Sequence, residues 1–401
     1  MSNRRDFLKI SSLASASLLI PNFLKKTNQL SLGQTNTGKI LVVVQLSGGN
    51  DGLNTVVPFR NDIYYENRPR LGLERSEILE MNDEQGLHPA LEGLMGLYDE
   101  GALSVVNSVG YPNPNRSHFR SMDIWQSASR SDQYLQSGWI GRYLDTACNN
   151  GHISPHKAME LSDSLSLALR GDQLKGLATQ NPKTLFQATR DPYIQVLAKQ
   201  EEKKDDDHPN LDYLHKTLVE ASSSAAYLHE KSKIYKSWAS YPSNKLGKRL
   251  KTIAELIISG SETQVYYVSH SGFDTHVNQK GQQARLLEQY DKGIFAFVQD
   301  LKKNDRFKDV CIMTFSEFGR RVKQNAGGGT DHGTANNLFL IGGELKKPGI
   351  VNKAPNLQDL DKGDLKFEID FRRIYADLLN DWLEVDAHQV LGDTFAKLGL
   401  V

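Results

Sequence analysis

Five short apolar runs punctuate the chain: Ile40–Leu46, Leu103–Val106, Gln264–Val268, Val310–Phe315 and Leu338–Ile341. Each is rich in β-branched or aromatic residues and none alternates strictly, the pattern of strands covered on both faces of a parallel sheet. Helical periodicity fills several of the gaps. Pro89–Glu100 precedes the second run. Within Lys280–Lys303, the residues Leu286, Leu287, Tyr290, Ile294, Phe297, Val298 and Leu301 recur close to every 3.6 positions and so share one helical face. Phe371–Leu383 gathers Phe371, Ile374, Leu378, Leu379 and Trp382 on one side, which predicts a helix packed on the sheet. This strand–helix alternation predicts an α/β fold, a doubly wound, mostly parallel sheet flanked by helices. The section at about 150–250 departs from it. It is polar and helical in pattern and reads as a helical insertion, with the charge run Glu201–Asp207 as a solvated loop or helix end.

The first residues follow a different logic. Asn3-Arg4-Arg5-Asp6-Phe7-Leu8-Lys9 precedes an apolar stretch, Ile10–Ile20, closed by Pro21. A charged segment before a short apolar one is a secretion signal, and the paired arginines next to Phe-Leu-Lys look like the twin-arginine type. The apolar stretch is too short for a permanent span, which needs about 20 residues. An ordinary secretory signal or an uncleaved anchor is the alternative. The expected division is therefore a leader over 1–37 and one α/β domain over 38–401. The twin-arginine translocase would be a partner during export, and the place of action periplasmic or extracellular.

Composition narrows the classes. With 401 residues, 48 Lys+Arg and 48 Asp+Glu, the formal net charge is zero, without the basic footprint of a nucleic-acid binder. Two cysteines, Cys148 and Cys311, exclude a disulfide framework and a four-cysteine zinc site. Cys311 lies in an apolar run and reads as a buried thiol.

Candidate chemistry gathers at the strand ends. Ser47–Asn54, containing Gly48-Gly49-Asn50-Asp51, follows the first run. Arg116-Ser117-His118 comes after the second, Asp274-Thr275-His276 after the third, and Ser316-Glu317-Phe318-Gly319-Arg320 after the fourth. Gly327–Gly333, with Asp331-His332, comes just before the fifth. Ligands of open α/β sheets bind beyond the carboxyl ends of the strands, and a Gly-rich loop entering the fifth run can lie across the same edge. Asp51, Asp274, His276, Glu317, Asp331 and His332 together offer mixed carboxylate and imidazole ligands. Such a set suits zinc, manganese or iron, and a carboxylate-rich subset suits magnesium or calcium. Trp125 and Trp139 read as core or pocket wall. No dinucleotide, Walker or Gly-x-Ser-x-Gly motif is present.

The segments VVQLSGGNDGLNTVVP, LYDEGALSVVNSVGYP, NRSHFRSMDIWQ, SGWIGRYLD, GFDTH, FSEFGR, GGTDHGTAN and DFRRIYADLLNDWL occur in this order. Together they resemble the sulfatase-like domain-of-unknown-function family 1501, whose bacterial members carry twin-arginine signals. More remotely, the family is similar to the alkaline phosphatase and sulfatase superfamily. That resemblance implies an alkaline-phosphatase-like fold, a divalent metal ion (zinc, manganese, magnesium or calcium) at the strand ends, and a small-molecule or polymer ester as substrate. It implies metal-ligand roles for Asp51, Asp274, His276, Glu317 and His332, and a nucleophile at Ser117 with His118 beside it. Arg116 and Arg320 would neutralise charge as phosphorus or sulfur is attacked. The chain departs from the superfamily in its short Asp274–His276 spacing and in Glu317, where Asp is usual. The Cys/Ser-x-Pro-x-Arg motif of sulfatases is also missing at Ser117. Two readings follow. One is an exported metal-dependent hydrolase of phosphate or sulfate esters. The other is a non-catalytic cell-envelope binding or assembly protein, with envelope protein partners, in which Ser117 only caps a helix.

Overall fold

The computed structural model describes residues 38–148, 154–198 and 209–401; the expected leader, residues 1–37, and the run Glu201–Asp207 lie outside the described residues. All five apolar runs are strands of one nine-stranded sheet. Its members in chain order are β1 (Ile40–Ser47), β2 (Leu103–Gly110), β3 (Ala158–Glu160), β4 (Leu177–Ala178), β5 (Val265–Ser271) and β6 (Val310–Phe315). After a separate ribbon made of β7 (Arg320–Gln324) and β8 (Thr330–His332) come β9 (Asn336–Gly342), β10 (Gly349–Ile350) and β11 (Ile369–Asp370). The spatial order is β10-β2-β9-β6-β1-β5-β3-β4, with β11 also paired to β2. Every pairing is parallel except those of β9, which runs against both β2 and β6.

Strand β1 shows why the apolar runs are continuous. Successive side chains point to opposite faces, and here both faces are covered. Val42, Val44 and Leu46 belong to a core built with α1 (Glu92–Asp99), α5 (Lys245–Ile258) and α6 (Gln279–Lys303). Leu41 and Val43 belong to a second core with α2 (His118–Ser127), α3 (Trp139–Cys148) and α7 (Phe371–Asp377). Each such fully buried side chain contributes about 1.5–3 kcal/mol relative to exposure, so the sheet has no solvent face to alternate toward. The helix read over Lys280–Lys303 is α6, and its apolar stripe faces the first core. The C-terminal amphipathic segment is α7 followed by a π-helical turn, Leu378–Trp382, in which the Trp382 indole donates to the carbonyl of Ile40 at 3.0 Å.

The section at about 150–250 differs from the expected helical insertion. It supplies α4 (Pro209–Ile234) and α5, but also β3 and β4, which extend the main sheet beyond β5. Strands of three and two residues are too short to leave an alternation signal, and a polar neighbourhood hides them.

Candidate metal centre

The polar clusters meet at one edge. Strands β1, β2, β5 and β6 end there and β9 begins there, because it alone runs the other way. The Gly-rich approach to β9 is the ribbon β7–β8, in which Arg320 pairs with His332. Gly48 makes the convergence sterically feasible. Its φ is +118°, and a Cβ there would lie 2.5 Å from the Asp274 nitrogen. Gly329 is equally tight, since a Cβ would lie 2.3 Å from the His276 carbonyl carbon. The Ser316 hydroxyl ties the loops together, donating to the Leu46 carbonyl at 2.6 Å and accepting from the Asn50 amide at 2.8 Å.

At the centre, Asp274 Oδ1 lies 3.0 Å from His276 Nε2, 3.1 Å from His332 Nε2 and 3.4 Å from His118 Nε2. His276 Nε2 and His332 Nε2 are themselves 3.0 Å apart. Among the described residues, His118, Asp274 and His332 form a group whose ligand atoms all lie within 4.8 Å of one another. The far side of each ring fixes which nitrogen is bare. His118 Nδ1 faces Glu317 Oε1 at 2.9 Å, and His332 Nδ1 faces the Arg116 carbonyl at 2.8 Å. A carbonyl only accepts, and an ionised carboxylate does the same, so both Nδ1 atoms carry the proton and both Nε2 atoms present lone pairs inward. His276 Nδ1 is turned toward Asp331 Oδ1 at 3.6 Å, which favours the same tautomer. His118 Nε2 is buried without a hydrogen-bond partner.

Lone pairs therefore crowd a carboxylate oxygen, and a cation is what reconciles them. Protonation is a partial answer. The Glu317 hydrogen bond raises the His118 pKa above its ordinary value, whereas burial lowers that of His332. Burial opposes charge on Asp274, but the hydrogen bond and charge of Arg320 outweigh it and hold the carboxyl well below the usual range. A divalent metal between His118, Asp274 and His332 would answer it more fully. Bonds of about 2.0–2.1 Å in tetrahedral array imply donor–donor edges of about 3.3 Å, close to the spacings around Asp274. Imidazole ligands whose other nitrogen is held by a carboxylate or carbonyl are the usual outer arrangement of such centres. The residues present fit a divalent metal ion.

Several sequence expectations shift in place. Asp51 is 1 % exposed and is not among the grouped donors. Its carboxylate is clamped by Arg68, with Nη1 at 2.6 Å and Nη2 at 3.0 Å, and also accepts from Gln279. That neutralises it as a buried ion pair rather than leaving it free to ligate. Glu317 Oε1 faces the back of the His118 ring and accepts the Gly48 amide at 2.8 Å, so it stands behind the donor group rather than in it. Asp331 stays on the exposed outer side of His276 and accepts from Asn325 at 3.2 Å. His118, expected beside the nucleophile, is itself in the donor cluster. Arg320 is buried and its guanidinium is spent on the carbonyls of Gly48, Gly49, Phe273 and Thr330 and on Asp274 Oδ1 at 2.7 Å. It locks the loops and Asp274 instead of facing outward. The Arg116 side chain pairs with Asp364 at 2.7 Å. Ser117 sits at the N-cap position of α2, exposed, yet its side chain makes no capping bond. Arg68 and Gln279 went unnoticed in the sequence because nothing in their spacing links them to Asp51.

The family described as protein of unknown function DUF1501 matches residues 99–392. The chain belongs to that family. No curated protein matches the sequence. Among solved structures, the chain is similar to the C-terminal periplasmic domain of EcEptC from Escherichia coli in complex with Zn. Identity is 12 %, covering 76 % of this chain and 72 % of that one, with a TM-score of 0.37. The lipoteichoic acid synthase LtaP from Listeria monocytogenes is similar at 11 % identity, covering 78 % of this chain and 68 % of that one, TM-score 0.36. The PsFucS1 sulfatase from Pseudoalteromonas sp. is similar at 11 % identity, covering 78 % and 64 %, TM-score 0.36. Among the described residues of this DUF1501 protein, no helix is long and apolar enough to cross a membrane.

Proposed function

We propose that the protein is an exported, metal-dependent hydrolase of phosphate or sulfate esters. The observation that carries this reading is the convergence of three imidazole Nε2 atoms on Asp274 Oδ1 at the carboxyl edge of the sheet. His118, Asp274, His276 and His332 would hold the metal, which supplies Lewis-acid polarisation of an ester oxygen and acidifies a bound hydroxyl or water.

The chain's own groups do the rest. Glu317 and the Arg116 carbonyl keep Nδ1 of His118 and of His332 protonated, so that both Nε2 lone pairs point inward. Arg320 holds Asp274 ionised and ties it to the loops after β1 and β5. Ser117 is the candidate nucleophile. It adjoins His118 at the start of a ten-residue helix, where the unpaired N–H groups of the first turn favour the negative charge of a phosphoryl or sulfuryl group. Its hydroxyl is free of capping duty, which supports that role over the cap alternative. Export by the twin-arginine route rests on the Arg4-Arg5 segment alone.

The test is elemental analysis of the purified chain with an ester panel in parallel. Near-stoichiometric metal in the wild type, lost in Asp274→Ala and His332→Ala, together with cleavage of a phosphate or sulfate ester that needs the metal and Ser117, is the expected result. Metal without turnover on any ester would leave the envelope-binding reading in its place.

A further inference from the structure

The chain carries no net charge, yet residues 230–255 hold seven Lys and Arg against two Glu. Both acids are already paired, Glu230 with Lys233 at 2.8 Å and Glu255 with Lys236 at 3.1 Å. The excess is therefore positive and local. Lys245, Lys248, Lys251 and Glu255 follow the three- and four-residue spacing of one face of α5, and Lys245 and Lys248 are exposed there.

The segment that follows α4 lies against this face and is pinned by alternate residues. Tyr235, Ser237 and Tyr241 donate their hydroxyl hydrogens to the buried Asp300 of α6 at 3.1, 2.5 and 3.0 Å, and the Ser237 amide donates to Glu255 at 3.2 Å. The residues beside these anchors face solvent. Ile234 is 66 % exposed and Trp238 is 92 % exposed, with Lys233 and Lys236 exposed next to them. Neither apolar side chain belongs to a core.

Their company says what covers them. The core of a protein–protein interface is depleted of lysine. A soluble polyanion would satisfy the lysines and leave Ile234 in water. An indole and an aliphatic side chain set among lysines is the composition of a membrane-surface contact, where Trp sits at headgroup level and Lys meets anionic lipid. We propose that this face docks on an anionic lipid bilayer. Trp238 and Ile234 enter the headgroup region, and Lys233, Lys236, Lys245 and Lys248 pair with lipid phosphates. Asp300, which anchors the Trp238 segment, lies about 30 Å along α6 from Gln279, so the anchor is remote from the candidate centre. The docking face does not depend on the hydrolase reading.

The experiment is binding of the purified full chain to vesicles of phosphatidylglycerol with phosphatidylcholine, against phosphatidylcholine alone, followed by tryptophan emission. Of the chain's four tryptophans, Trp125, Trp139 and Trp382 are at most 3 % exposed, so a change in emission reports Trp238. The expected result is a blue-shifted emission, quenched by brominated lipid, and binding at least tenfold tighter to the anionic vesicles, weakened by salt. Lys245→Gln together with Lys248→Gln should weaken binding about tenfold, and Trp238→Ala about tenfold, with unfolding midpoints close to wild type. Trp238→Phe should keep most of the binding and lose the emission change. No binding to anionic vesicles, equal binding to neutral ones, or binding indifferent to these substitutions, as the apolar stretch Ile10–Ile20 would give, would overturn the docking face. Self-association lost in Trp238→Ala would assign the patch to a second copy of the chain instead. Equally tight binding to heparin without an emission change would assign it to a soluble polyanion.

Discussion

Single contacts at the centre set its response to pH. In the metal-free chain the Glu317 hydrogen bond lifts the His118 pKa above 6.5. That contact therefore stabilises the fold fully below 6.5 and fades as pH rises through the lifted value. Asp274 behaves oppositely. Burial disfavours its charge, but Arg320 prevails, so its contribution is present above 3.8 and is lost as pH falls through the depressed value. A proton and a metal compete for His118 Nε2. Metal affinity in the wild type is expected to weaken as pH falls through the lifted His118 pKa. Glu317→Gln should move that midpoint down toward 6.5 and weaken binding about 10–100-fold. Calorimetric metal titrations across about pH 5.5–8.5 read both, and an unmoved midpoint would show that Glu317 does not govern His118. The buried pair Asp51–Arg68, with side chains 1 % and 0 % exposed, gives a stability prediction instead. Arg68→Met leaves a buried carboxylate with only Gln279 for company, and should cost about 3–5 kcal/mol in urea unfolding. A loss below about 1 kcal/mol would mean that water reaches Asp51.

Elements decide which of these residues meet. The five main strands were legible because both faces of the sheet are covered, which turns each strand into an unbroken apolar run. β3 and β4 were not, having three and two residues. The direction of β9 was also hidden, since a run such as Leu338–Ile341 reads the same either way. Only its preceding Gly-rich, His-bearing loop hinted that its start lies where other strands end. The donors Asp274, His276 and His332 stood out as residue types at strand ends. The sorting into ligand and support did not. Glu317 and Asp51 are chemically able ligands, and only packing shows that one faces the back of His118 and the other faces Arg68. Close approach of loops gives a prediction at this scale. Gly329→Ala would press on the His276 backbone and displace the β7–β8 ribbon that carries His332. Metal binding should fall at least tenfold while the unfolding midpoint moves little, measured by competition with a chromogenic chelator. An unchanged affinity would show that the ribbon has slack.

At the scale of the whole molecule, two cores sandwich the sheet, and the thiol of Cys311 sits in one of them. It is fully buried, and that burial pushes its pKa up to about 12. Alkylation at Cys311, followed site by site by mass spectrometry, is expected only after denaturation, because the thiolate is the reactive form. Rapid labelling of the native chain would reveal a sheet that opens locally.

The reversed strand has one more consequence. β6 and β9 are antiparallel neighbours, so the chain leaves the sheet after Phe315 and returns at Asn336 in the adjacent lane. Everything between is an excursion with its two feet side by side, and it carries Glu317, Phe318, Arg320 and His332. The scaffold and much of the chemistry are therefore modular. The length of that stretch can change without re-registering the main sheet, provided Arg320 keeps its hold on the Gly48, Gly49 and Phe273 carbonyls. Variation in ligand set would then accumulate in this cassette while the sheet beneath it stays the same.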